Sequence, residues 1–139
     1  MWIVYAILSA FFAAVTSILA KIGLTNINSN LATAVRTAVV LVMAWGLVLA
    51  LGLQDGLARM TPRNWVFLVL SGVATGLSWL FYYAALQRGD VSRVVPVDKS
   101  SLVLAMVFAF VFLREKATPG ALVGGALIAA GTFVMVFWK

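Results

Sequence analysis

The chain has no cysteine and no histidine, and only four acidic residues among 139. Without cysteine there is neither a disulfide nor a thiolate nucleophile. Without histidine there is no imidazole base, and with both types missing the commonest transition-metal ligands are gone. No metal site and no cofactor is expected. The acids Asp55, Asp90, Asp98 and Glu115 are scattered, and only Asp98 lies well inside an apolar stretch. A Ser–His intramembrane protease is excluded, and a two-aspartate protease would find one acid of the pair it needs. The chain is not expected to be an enzyme.

Charge of either sign is scarce. Charged residues make up 10% of the chain and hydrophobic ones 64%, which is far from a soluble globular mix. What fills the chain is five apolar runs, 1–20, 37–53, 65–86, 100–113 and 117–138, none containing a charged side chain. A helix crosses the hydrocarbon core with about 20 mainly apolar residues. Three runs reach that length, and the other two do so if Arg36, Asp98 and Lys99 are drawn into the membrane. Membrane barrel strands alternate apolar and polar residues over about ten positions, whereas these runs are continuous. The runs predict an all-α integral membrane protein of five transmembrane helices, at 2–23, 31–53, 65–86, 92–113 and 119–138, in one domain spanning 1–139. The first run has no basic segment ahead of it and no convincing small-residue cleavage site, so it is read as a span rather than a leader.

The connections fit this reading. LTNINSN at 24–30 suits a turn and an N-cap for the second helix. Pro62 marks entry to the third helix and Pro119 the first turn of the fifth, where proline is tolerated. The net charge of +6 is carried mainly at helix ends, as membrane anchors, so no nucleic-acid partner is expected.

Five spans put the two ends of the chain on opposite faces. Lys21, Arg88, Arg93 and Lys139 fall on one face and Arg59, Arg63, Arg114 and Lys116 on the other, four against four. The positive-inside rule then has no bias to act on. The balance predicts dual insertion, with oppositely oriented copies pairing as an antiparallel homodimer.

Helix faces supply the candidate residues. On the fifth helix Gly120 and Gly124 form GxxxG beside a stripe of Ala121, Gly125 and Ala129, a pattern that lets helices approach closely. On the third, Ser71, Thr75, Ser78 and Tyr82 share one face, with Gly72, Gly76, Trp79 and Tyr83 on the next. Hydroxyls are poorly placed against lipid, so this stripe is expected to face the bundle interior. Ser9 and Thr16 of the first helix share a face and are candidates for the same cavity.

Arg36, Asp98 and Lys99 form the sharpest constellation. A charge at the bilayer centre costs about 3 kcal/mol on insertion scales and needs a partner. Asp98 and Lys99 are sequence neighbours about 100° apart on a helix, which argues against their pairing with each other. Arg36 is the expected partner of Asp98, with Lys99 aimed elsewhere and Pro96 bending the helix start. A net positive set favours a substrate with a carboxylate or phosphate, anionic or zwitterionic, over a simple cation.

The stretch LQRGDVSRVVPVDKSSLVLAMVFAFVFLREKATPGALVGGALIAAGTFVMV from Leu86 resembles the second half of an EamA domain of the drug/metabolite transporter superfamily. The resemblance rests on the turn at Gly89, the V-P-x-D-K run through Pro96, Asp98 and Lys99, Glu115, and the glycine-rich fifth helix. A-K-I-G-L at Lys21 and N-L-A-T-A-V-R-T around Arg36 extend it across the chain. It implies an EamA-like bundle and metabolite transport by alternating access. Ten-span members resemble two such units fused in inverted orientation, so a five-span chain is similar to half a transporter. Four-span small multidrug resistance relatives carry a membrane-embedded glutamate in their first helix. This chain has only Ser9, Thr16 and Ser17 there, so proton-coupled exchange of cationic drugs does not carry over. The expectation is a small-metabolite exporter in the inner (cytoplasmic) membrane, working as a dual-topology homodimer. An anion channel and a non-transporting subunit assisting lipid-linked flipping stay open as alternatives.

Overall fold

A computed structural model describes residues 1–137, which form seven helical elements and no strand. Trp138, the end of the fifth expected span, and Lys139, one of the flanking charges, lie outside the described residues. The elements are α1 (Trp2–Gly23), α2 (Ser29–Ala50), a 3-10 turn (Gln54–Arg59), α3 (Pro62–Arg88), α4 (Val91–Lys99), α5 (Ser101–Phe112) and α6 (Pro119–Phe137). Five segments are long and apolar enough to cross a membrane: α1, α2, α3, the α4–α5 stretch Val91–Phe112, and α6. The protein is an all-α membrane protein.

Local chemistry sets the ends. Asn28 caps α2, its Oδ1 accepting from the Asn30 N–H at 2.9 Å. Two helices start with the same device. Thr61 Oγ1 accepts from the Asn64 N–H at 3.3 Å ahead of Pro62, and Thr118 Oγ1 from the Ala121 N–H at 3.2 Å ahead of Pro119. The second helix stops at Ala50 rather than 53, although Leu51 and Leu53 extend the apolar run. Gly52 adopts φ 65°, so that Leu53 N–H reaches the Val48 carbonyl and Gly52 N–H the Leu49 carbonyl, a Schellman stop.

The chain divides into two compact units, 1–88 and 89–139. In the first, α3 packs against both α1 and α2. Its small core is Tyr83, Leu86 and Leu24, with Ser17, Ser29 and Thr33 also buried. Most other large apolar side chains point outward, the arrangement lipid requires and water would forbid.

In the second unit α4, α5 and α6 pack on one another. The expected helix 92–113 is two helices broken at Ser100. Pro96 has no N–H, so the Ser92 carbonyl loses its helical partner. At the break, Ser100 gives both its N–H (3.1 Å) and its Oγ–H (2.6 Å) to the Val97 carbonyl. Thr132 Oγ1 of α6 donates to the Pro96 carbonyl at 3.4 Å, tying α6 to α4. Gly125 is buried against α5, where a Cβ would lie 3.1 Å from Met106 Cε.

Candidate functional site

The 1–88 unit builds its site where the C-terminal ends of α1 and α3 meet the N-terminal part of α2. Tyr82 Oη donates to Ser17 Oγ at 2.7 Å, and Lys21 Nζ donates to the Leu86 carbonyl at 2.7 Å. Both pairs are 65 residues apart, the constant offset of two helices running in the same direction. Gln87 Nε2 donates to the Ile27 carbonyl at 2.7 Å and holds the α1–α2 loop to the end of α3.

Arg36 lies about 10 Å along α2 from Ser29, at about 1.5 Å per residue. It is half-buried. Its guanidinium sits over the Trp79 ring, 4.2 Å from the centroid, and 5.5 Å from the Tyr83 centroid. Trp79 and Tyr83 are one helical turn apart and so present their rings side by side to one cation. Arg36 and Tyr83 form part of the wall of a cavity of about 440 Å³. Thr16 adds a hydroxyl-bearing side chain, and the rest of the wall is apolar, including Leu19, Ile27, Leu31 and Val35.

The structure therefore brings together Arg36, Thr16, Trp79 and, through the Ser17 bond, Tyr82. It does not gather the remaining hydroxyls. Thr75 donates back to the Ser71 carbonyl of its own helix at 2.9 Å, and Ser71, Ser78 and Ser9 are exposed. Of the expected packing glycines, Gly125 alone has a close neighbour, and Gly72, Gly76, Gly120 and Gly124 have none within 4 Å of a built Cβ. Tyr83 follows Trp79 at i+4 in the glycine–aromatic stripe. One participant is not among the sequence candidates. Ser17 is marked only by its place four residues after Ala13, whose carbonyl it bonds at 2.9 Å.

The second unit corrects one expectation. Asp98 and Lys99 pair with each other, Nζ to Oδ2 at 3.6 Å, despite being sequence neighbours. The angular argument holds for Cβ directions, but the lysine's four-carbon stem bends across the gap. Both side chains keep substantial exposure, so neither is locked in place. Arg36, expected to meet a carboxylate, instead rests on aromatic faces in its own unit, where the sole acid is Asp55 in the 3-10 turn beyond the far end of α2.

A guanidinium held on two rings in an apolar hollow can bind and orient an anion. It offers no proton acceptor. Among the described residues, no group of three or more His, Cys, Asp or Glu side chains converges as a metal site would require.

Comparison with known proteins converges on one description. The profile of the EamA-like transporter family matches residues 1–137. A protein of Sinorhizobium sp., named "Uncharacterized transporter in cobO 3'region", is 45% identical over 134 residues, covering 96% of this chain and 95% of that protein. An uncharacterized transporter of Synechocystis sp. is 25% identical over 135 residues, covering 94% of this chain but 38% of that protein. No solved structure matches.

Proposed function

This chain belongs to the EamA-like transporter family, and we propose that it exports a small anionic or zwitterionic metabolite by alternating access, as an antiparallel homodimer. It is a multi-pass membrane transporter, and the inner membrane is the proposed site of action. The observation that carries the substrate reading is Arg36, a permanently charged side chain held on Trp79 and Tyr83 at the wall of a cavity within a membrane span. An intramembrane charge is costly, and contact with a substrate is a function that would justify one. Its partners are aromatic faces, which leave its charge available to a ligand.

Two further observations support a paired assembly. The flanking Lys and Arg count is four against four, so no charge bias selects an orientation. The Synechocystis relative, of which this chain spans 38%, has length for a second such unit. A transporter alternating between two faces is commonly built from two inverted units around a central site. The 89–139 unit, with its proline-interrupted α4, has irregular backbone of the kind that accompanies such sites.

Paired reporters fused after Lys139, one active only inside the cell and one only outside, test the assembly. Comparable signal from both supports dual insertion, and signal from one side alone overturns it. Purified protein in liposomes tests the transport. Saturable counterflow of a labelled organic anion is the expected result. The same Arg36 cavity also suits an anion channel, and flux that is fast, unsaturable and free of counterflow would favour that reading instead.

A further inference from the structure

We propose that the cavity of the 1–88 unit is a subsite for an amphipathic monocarboxylate, its carboxylate received at the edge of the Arg36 guanidinium and its apolar body against Leu19, Ile27, Leu31 and Val35. The proposal deepens the transport reading by naming a substrate class, and it rests on that reading for its physiological meaning.

Geometry is the first support. A guanidinium is planar, with five N–H donors in the plane and two open faces. The guanidinium carbon lies over the Trp79 ring, 4.2 Å from its centroid, and 5.5 Å from that of Tyr83. Aromatic rings offer no lone pair to the guanidinium, so its N–H donors are not taken up by these neighbours. No hydrogen bond from these donors to a protein acceptor is seen among the described residues. Donors held in a rigid fork match the two oxygens of a carboxylate.

The wall limits the rest of the ligand. Apart from Thr16, Arg36 and Tyr83, the lining side chains are apolar. An apolar tail is buried favourably there, whereas a second charge would be desolvated without a partner. That disfavours dianions, which would bring two charges to one cation. It also disfavours zwitterions, because an ammonium needs an acceptor acid and the unit's single acid, Asp55, lies beyond the opposite end of α2. The reading thereby narrows from anionic or zwitterionic solutes to monoanions with an apolar body.

The test is equilibrium binding to the full chain in lipid nanodiscs, read by tryptophan fluorescence. Trp2→Phe, Trp45→Phe, Trp65→Phe and Trp138→Phe together leave Trp79, the ring under Arg36, as the only reporter. Hexanoate, hexanamide, 6-aminohexanoate and hexylammonium share a chain and differ in charge. Hexanoate is expected to shift Trp79 emission saturably. Hexanamide and 6-aminohexanoate bind about tenfold more weakly or worse, as expected when a charge-assisted bond is replaced by a neutral one or opposed by an unpaired charge. Hexylammonium gives no saturable change. Arg36→Lys, which keeps the charge but loses the fork, weakens hexanoate by about tenfold. Arg36→Gln makes hexanoate and hexanamide equivalent.

Equal affinity for hexanoate and hexanamide with Arg36 in place overturns the proposal, with no dependence on how any Arg36 variant folds. So does the absence of a saturable response to hexanoate, or full hexanoate affinity in Arg36→Gln. Binding is read without turnover, so the two readings fail separately. Flux without carboxylate selectivity removes this proposal alone, and selective binding without flux removes the exporter reading alone.

Discussion

Replacing Tyr82 by Phe and Ser17 by Ala, singly and together, measures the tie between α1 and α3. The Tyr82 hydroxyl donates to Ser17 Oγ over 2.7 Å, an ordinary O–H···O length. Ser17 is buried, at 6% exposure, and passes its own proton to the Ala13 carbonyl at 2.9 Å. Its oxygen is thus already oriented to accept. Hydrogen bonds between membrane helices average about 0.6 kcal/mol in double-mutant cycles and reach about 1.7 kcal/mol. A part-buried bond to a buried, pre-oriented acceptor belongs above the average of that range. We expect a coupling of about 1 kcal/mol, a factor of about five in the unfolding equilibrium. Tyr82→Phe keeps the ring and its edge contact with Tyr83 at 5.9 Å, so the hydroxyl alone is lost. Ser17→Ala also removes the bond to Ala13, but that bond lies within α1 and cancels in the cycle. The assay is reversible unfolding of the purified protein in mixed micelles by titration with a denaturing detergent, followed by tryptophan fluorescence. Single effects that simply add, leaving no coupling, would refute the assignment of this bond as a fastener between the helices.

Trp79→Leu removes the ring under the guanidinium. With cation–π contacts worth about 0.5 to 2 kcal/mol, anion binding should weaken by about twofold to about thirtyfold, measured as competition against a labelled carboxylate. Gly125→Leu places a side chain where a Cβ alone would meet Met106 Cε at 3.1 Å. It should lose about 1 to 3 kcal/mol in the same unfolding assay, and adding Met106→Ala should recover part of the loss. Gly52→Ala has open space around the new Cβ but keeps a φ of 65°, so its cost is backbone strain alone, about 1 to 2 kcal/mol. Gly52→Asn should cost less, and equal stability of all three chains would contradict the Schellman assignment.

Hydropathy resolves the five spans because each apolar run is uninterrupted and bounded by charge or proline. It misplaces their ends wherever backbone geometry and side-chain polarity disagree. Leu51 and Leu53 read as membrane-embedded, yet Gly52 between them turns the chain out of α2. At α3 the error runs the other way, since the helix continues through Gln87 and Arg88 after the apolar pattern has ended. Pro96 signals a disturbance in the fourth span, but the break falls four residues later, at a serine able to bond back to Val97. In the site, Arg36 was legible because an intramembrane cation is conspicuous. Its contact with Trp79 and Tyr83 was not, because a search for opposite charge passes over aromatic faces. The Thr75 hydroxyl satisfies itself on its own backbone, at Ser71, a local bond that the polarity pattern does not reveal.

Helix α1 is fastened at one end only. Its links to α3 are Ser17–Tyr82 and Lys21–Leu86, with Gln87 gripping the loop at Ile27 just beyond. Over residues 2–15, about 20 Å of helix, no hydrogen bond to another helix is seen among the described residues. Swinging that arm exchanges dispersion contacts with protein for equivalent ones with lipid, whereas moving the fastened end breaks several polar bonds that lipid does not replace. The helix is in effect a lever with a built-in fulcrum, and the cavity wall at Thr16, Leu19 and Arg36 lies beside that fulcrum. A displacement of the free arm would reach the site as a small rotation at the hinge. Two oppositely inserted copies would set one hinge at each face of the membrane.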